Sequence, residues 1–245
     1  MPADWIVPEW PAPARVRAVS TTRFGGVSKG AYASLNFGDH VRDDPAAVME
    51  NRRQLVSTLG LKREPAWLKQ VHGTRVARLT GAQVEEPADA AVASKPGLAC
   101  AVMTADCLPV LFCDRAGTRV AATHAGWRGL CAGVLEATIA AMGKGTAEFM
   151  AWMGPAIGPE SYEVGEEVRQ AFVQLDADAA AAFTPGKAPG KWWCDLYALA
   201  RRRLEAAGVN QVYGGGLCTY ADRERFFSFR RDGECGRMAT LIYIE

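Results

Sequence analysis

Between Leu98 and His124 lie three short apolar segments, "LACAVMT" (98–104), "PVLFC" (109–113) and "RVAATH" (119–124), each bounded by turn-forming residues. Runs of this length with almost no polar alternation are strands covered on both faces, and the turn from Asp114 to Gly117 predicts a hairpin between the last two. A sheet covered on both faces needs a helical layer or another sheet on each side. That requirement limits the fold more than any other part of the chain.

The rest of the pattern supplies those covers. "DDPAAVMENRRQLVSTLG" predicts a helix with Asp44 as N-cap, Pro45 at the first helical position, Val48, Leu55, Val56 and Leu59 on one side, and Gly60 as terminator. "LCAGVLEATIAAM" predicts an almost uncharged helix over 130–142, covered all round. Further helices are predicted at "EEVRQAF" and "DLYALARRRLEAAG", and an exposed loop at "TPGKAPGK". Strands are predicted at "VRAVSTT", "TRVARLT", "EFMAWMG", "QVYGG", "FFSFRR" and "MATLIYI", while "AWLKQVHG" places His72 at or beside a strand end. Hairpins and helices alternate without a repeating βα order, so the expected class is α+β with covered sheets.

Composition narrows the function. With 245 residues, 49% hydrophobic, 22% charged and a formal net charge of +1, the chain has the make-up of a soluble globular protein. No lysine and arginine stripe marks it for nucleic acid. The basic triplet Arg201, Arg202 and Arg203 reads as the solvated face of a helix. The acidic, proline-interrupted N-terminus does not read as a signal peptide, and no window is apolar enough for a membrane span. A cytoplasmic location with reduced thiols is therefore expected. Seven cysteines in irregular spacing without a CxxC pair argue against both a disulfide framework and a ribbon-type zinc finger.

Of the three histidines, His72 and His124 lie beside glycine-containing turns, and the small pair Ala125 and Gly126 lets another group approach His124 closely. Cys107 sits in "ADCLP". His72, Cys107 and His124 are a competent three-ligand zinc set that leaves one position open, as catalytic zinc requires. Cys107 as a nucleophile with His124 as its base is the rival reading, and only the metal needs His72. A buried structural thiol and satisfied core histidines are the plain alternatives. Arg23 in "TTRFGGVSKG" with nearby Asn36, together with Arg128 and Arg237, are candidates for holding an anion. Tyr162 and Glu163 in "GPESYEVG" are candidates for lining a pocket, and Asp106 for orienting a metal ligand.

"TTRFGGVS", "SLNFGDHVRDDP", "NRRQL", "LKQVHG", "TADCLPVLF", "HAGWRG", "GPAIGPESYEVG" and "SFRRDGECGRMA" follow one another in an order that resembles the YfiH family, also called the laccase-domain, polyphenol-oxidase or peptidoglycan-editing-factor family. The resemblance implies one domain over residues 1–245, in the four-layer α/β/β/α class shared with cytotoxic necrotizing factor-like cysteine hydrolases. It implies zinc on His72, Cys107 and His124, with copper as a substitute occupant. It further implies a purine nucleoside phosphorylase acting on adenosine, inosine, guanosine and methylthioadenosine, with adenosine deaminase activity. The expected partners are a purine nucleoside and phosphate, with no nucleic acid or membrane, and the expected state is a monomer or weak homodimer. An amidase acting on peptidoglycan precursors, a copper-dependent polyphenol oxidase, and a partner-binding protein with structural zinc are the alternatives. A laccase joins several coppers and needs far more imidazoles than the three present. Many relatives carry cysteines where this chain has Glu160 and Ser161.

Overall fold

The computed structural model describes residues 2–81, 84, 86–143 and 149–245. Its first half runs β1 (Val16–Ser20), α1 (Pro45–Leu59), β2 (Val76–Arg78), β3 (Ala90–Ala93), β4 (Ala99–Thr104), β5 (Leu108–Asp114), β6 (Val120–Ala125), α2 (Trp127–Ala132) and α3 (Val134–Met142). The second half runs β7 (Phe149–Met153), β8 (Glu163–Gly165), α4 (Glu166–Val173), β9 (Phe183–Pro185), β10 (Lys191–Cys194), α5 (Leu196–Ala206), β11 (Gln211–Gly214), α6 (Phe229–Asp232) and β12 (Met238–Ile244).

The three apolar segments are strands, and every residue of β4, β5 and β6 is buried. The β5–β6 hairpin pairs Leu108 with Ala125 and Pro109 with His124. Asp114 closes its turn by accepting from the backbone and hydroxyl of Thr118 and from Arg119. Unlike β5 and β6, β4 belongs to a different sheet, so the "ADCL" link crosses between layers.

One antiparallel sheet has the order β1-β12-β4; a mixed six-stranded sheet has the order β11-β7-β5-β6-β3-β2; a small antiparallel sheet has the order β8-β10-β9. Cys100, Val102 and Ile242 of the first sheet pack on Leu111, Ala122 and Met150 of the second, forming a core between sheets. The outer face of the first sheet, through Ala101, Met103 and Leu241, receives Leu55 of α1. The outer face of the second, through Val110, Phe112 and Ala121, receives Leu135 and Ile139 of α3 and Leu199 and Leu204 of α5. The layer order is thus helix, sheet, sheet, helices, which answers the demand that the apolar strands impose.

Helix α1 has the predicted ends: Asp44 accepts from the Ala46 amide, Pro45 begins the helix, and Gly60 takes a left-handed conformation with φ of 62°. The helix predicted over 130–142 starts earlier and is broken, because Gly133 at φ of 101° terminates α2 and starts α3. "FFSFRR" is not a strand: Phe226 and Phe227 are fully buried, and Ser228 accepts from the Arg231 amide to cap the one-turn α6. In "AWLKQVHG" only Ala66 bridges to a strand, at Cys100, and Gln70 instead clips the backbone of Met103 through both its amide atoms. Strand β3, absent from the sequence-based expectation, lies between β6 and β2. Glu148, at the head of the predicted "EFMAWMG" strand, lies outside the described residues. The exposed "TPGKAPGK" segment is the turn joining β9 to β10.

Candidate metal centre and its cavity

His124 is delivered by the end of β6, where pairing with Pro109 in a fully buried ladder fixes its backbone. Cys107 precedes β5 on the crossing link, and His72 comes from the loop before β2. The Sγ of Cys107 and one ring nitrogen from each histidine lie within 4.8 Å of one another. The two imidazoles meet edge to face, with centroids 4.8 Å apart. Gly126 makes the approach feasible. A Cβ there would sit 2.5 Å from His72 Nδ1 and 3.1 Å from Cys107 Sγ.

A single buried carboxylate organises this geometry. Asp89, just before β3, has no exposed surface. Its oxygens accept from the amides of Val71 (3.2 Å), His72 (2.9 Å) and Gly73 (2.7 Å), holding the loop in which His72 adopts φ of 60°. The same carboxylate lies 2.8 Å from His124 Nδ1, which commits that nitrogen and leaves Nε2 as the free donor. Burial opposes charge on Asp89, yet the bonds from His124 and the loop amides prevail and hold its carboxyl below the usual range.

The imidazoles titrate in opposite directions. Burial, followed by the nearby charge of His124, pushes His72 down, so it is neutral and able to ligate. Burial also opposes charge on His124, but the neighbouring Cys107 and the Asp89 carboxylate outweigh it and raise His124 to about 9. Cys107 and His124 are therefore in side-chain contact, and a bound cation would compete with the proton on His124.

The donors stand between two adjoining hollows of about 260 and 360 Å³ that share His72, Cys107 and Phe229. The smaller is lined by Trp127, Arg128, Tyr162 and Arg230. Arg128 stacks over Trp127 at 4.5 Å and Arg230 over Tyr162 at 5.0 Å, which extends the flat faces available to a ring. The larger is lined by His40, Thr104 and Arg237.

Several sequence-based assignments move. Asp106 touches no metal donor: it accepts from the Thr219 hydroxyl at 2.6 Å and the Arg230 amide at 2.7 Å, at a φ of 88°, and so fixes the segment carrying α6. Arg23 lines neither hollow, because it donates to the carbonyls of Ala33 and Arg223 and lies over Phe227. Asn36 is fully buried and is spent on Gly38, Asp43 and the Arg237 amide. Glu163 gives its carbonyl to Arg230 and its carboxylate to the Lys187 amide. Arg128, Tyr162 and Arg237 do line the cavity. Asp89, Thr104, Phe229 and Arg230 were not anticipated. Only Asp89 carried a signal, as a lone carboxylate entering the apolar run "AAVAS".

The donor set fits one ion. Thiolate and imidazole suit zinc or copper, whereas the third histidine, His40, stands outside the cluster, so no multinuclear copper assembly can form from these imidazoles. All seven cysteines are free. No helix among the described residues is long and apolar enough to cross a membrane.

Residues 17–245 match the family model described as multi-copper polyphenol oxidoreductase laccase. The chain is 56% identical over 241 residues to a purine nucleoside phosphorylase of Pseudomonas aeruginosa, covering 98% of each. It is 54% identical over 240 residues to purine nucleoside phosphorylase YfiH of Escherichia coli, again covering 98% of each. Among solved structures, a Neisseria meningitidis protein of family model DUF152 superposes with a TM-score of 0.93 at 53% identity, over 99% of both chains. YlmD of Geobacillus stearothermophilus does so at 0.88 and 32% identity, over 100% of this chain and 97% of its own.

Proposed function

The chain belongs to the laccase-like YfiH family, and from that premise we propose that it is a zinc-dependent purine nucleoside phosphorylase with adenosine deaminase activity. Adenosine, inosine, guanosine and methylthioadenosine are its substrates, and it works in the cytoplasm as a monomer or weak homodimer. The observation that carries this reading is the convergence of His72, Cys107 and His124 between two adjoining hollows, one offering aromatic faces with Arg128 and Arg230 and the other Arg237. Neither hollow alone accounts for a two-substrate reaction; the pair does.

His72, Cys107 and His124 would hold the ion, which supplies a Lewis acid where the two hollows meet. Asp89 keeps the His124 ring turned so that Nε2 points away from the carboxylate. Trp127, Tyr162 and Phe229 offer faces for a purine. In phosphorolysis a phosphate oxygen bonds to the anomeric carbon as the bond to the purine nitrogen breaks and its electron pair leaves with the base. The chain's part is to hold the two reactants in line. The test is adenosine with phosphate, following ribose-1-phosphate, adenine and inosine before and after chelation. Phosphate-dependent adenine release that disappears with the metal supports the reading. Full zinc occupancy without turnover sinks it.

One observation favours a second reading, a cysteine hydrolase of the cytotoxic necrotizing factor-like kind acting on an amide of a peptidoglycan precursor. It is the side-chain hydrogen bond between Cys107 and His124, within the same helix–sheet–sheet–helix order. Such a dyad does not need His72, so a His72 variant separates the readings.

A further inference from the structure

The larger hollow has properties that the phosphorylase reading leaves unassigned. Arg237 enters it on a built support. The Arg237 amide is held by buried Asn36 at 2.8 Å, and a Cβ on Gly38 would lie 2.9 Å from its Cγ, so the stem occupies space that only glycine leaves open. Its Nη1 donates to the carbonyls of Cys235 and Gly236, whereas Nε and Nη2 have no partner among the described residues, and no carboxylate pairs with it there. A guanidinium fixed at one nitrogen and free at the other two is arranged to bind an anion.

Thr104 supplies a second, independent sign. It is 2% exposed and lines the same hollow, yet its hydroxyl makes no hydrogen bond among the described residues. Alternation along β4 points it with Cys100 and Val102 toward the second sheet, the side from which Cys107 and His124 come. Met238, the neighbour of Arg237, pairs with Thr104 in the ladder, so both residues stand at the same end of the sheet, where they line one hollow. The hydroxyl is not among the buried polar atoms left without a partner; it is open to the hollow and available to a ligand there. His40 completes the wall of the hollow, with the Asp39 carboxylate 3.6 Å from its Nδ1.

We propose that Arg237, Thr104 and His40 form the subsite for free orthophosphate, with Arg237 clamping two of its oxygens and the Thr104 hydroxyl donating to a third. The inference rests on the phosphorylase reading and deepens it. It separates the roles of the hollows: the stacked Arg128 and Arg230 serve the ring-binding side, while Arg237 serves the anion. It also replaces Arg23 and Asn36 as phosphate ligands, Asn36 acting instead as a positioning residue for Arg237.

The test uses the metal-loaded full chain, with steady-state kinetics in phosphate at saturating inosine and calorimetric titration of inorganic phosphate. R237Q is expected to raise KM for phosphate and weaken phosphate binding by at least about tenfold, and T104V, which keeps the shape, by several-fold. R128Q is expected to raise KM for inosine instead. Wild-type turnover that depends on phosphate, with R237Q and T104V unchanged in phosphate KM and R128Q impaired in it, overturns the subsite and leaves the phosphorylase reading standing. Absence of phosphate-dependent turnover in the wild type overturns both. If a nucleoside 5′-monophosphate binds and orthophosphate does not displace it, the hollow serves a phosphate ester and the assignment to free phosphate fails.

Discussion

Replacing Asp89 by asparagine tests whether one carboxylate organises the centre. The volume is kept and the charge is lost. Because Val71 and Gly73 donate to one oxygen and His72 and His124 to the other, an amide in either orientation turns its NH2 toward two donors. Bonds to a charged acceptor contribute about 1.5–3 kcal/mol each, so losing two costs about 3 kcal/mol or more of stability in the metal-free protein. The loop that sets the His72 backbone loosens, and the His124 ring loses the partner that aims Nε2. Loss of such a supporting bond weakens metal binding by about 10–100-fold. Urea unfolding of chelated protein reads the first quantity, and zinc titration against a competing chelator reads the second. Asp114→Asn is the control: it removes another buried carboxylate, at the far end of the β5–β6 hairpin, and should cost stability without touching zinc affinity. Zinc affinity in D89N within about twofold of wild type would refute the reasoning, since the carboxylate would then not be what holds the donors.

Three further outcomes follow from the same geometry. Gly126→Ala should expel His72, because its Cβ would stand 2.5 Å from Nδ1; turnover should fall about 100-fold or more, with far-UV dichroism unchanged. His72→Ala should abolish both metal retention and activity, measured by metal analysis and adenine release on one preparation; activity that survives would favour the Cys107–His124 dyad. The destabilisation by Asp114→Asn should depend on pH. Burial disfavours the Asp114 charge, but Thr118 and Arg119 override it and depress the carboxyl below 3.8. Its contribution is therefore present above pH 3.8 and lost as pH falls through the lower folded value, so the gap between variant and wild type should close only in acid, as read by urea unfolding across pH.

The sequence was legible where short-range physics decides. The Asp44, Pro45 and Gly60 signals bracket α1 because caps act within one turn, and the apolar runs of β4, β5 and β6 could only be covered strands. Gly126 was readable as a place of close approach, and a Cβ there would indeed collide with both His72 and Cys107. Long-range choices were not readable. "FFSFRR" has strand composition, but Phe226 and Phe227 are drawn into a core with Met238 and the Ser228 hydroxyl prefers to cap a turn. Arg23 beside paired glycines looked like an anion site, yet bonds from its Nε and Nη1 to two backbone carbonyls hold it outside both hollows. Asp106, next to Cys107 in sequence, spends its carboxylate on Thr219 and Arg230, and Asp89, remote from His72 and His124 in sequence, bonds to both. A carboxylate's partner is set by which strands the sheet order makes neighbours.

That sheet order also explains why the donors are so far apart in the chain. Cys107 lies on the only three residues between β4 of one sheet and the first residue of β5 in the next, a link too short to wander. His124 is placed by the hairpin register opposite Pro109, two residues beyond Cys107. His124 is thus fixed by a buried ladder and Cys107 by the short link that leads into one, whereas the His72 loop belongs to no strand and is held from outside by Asp89. The centre therefore pairs two donors of low mobility with one whose position depends on a single carboxylate. Loss of metal should begin at His72. Partial unfolding in mild urea should accordingly release zinc before the β5–β6 hairpin opens, which amide hydrogen exchange at Val110 and Ala122 against exchange at His72 and Gly73 would resolve.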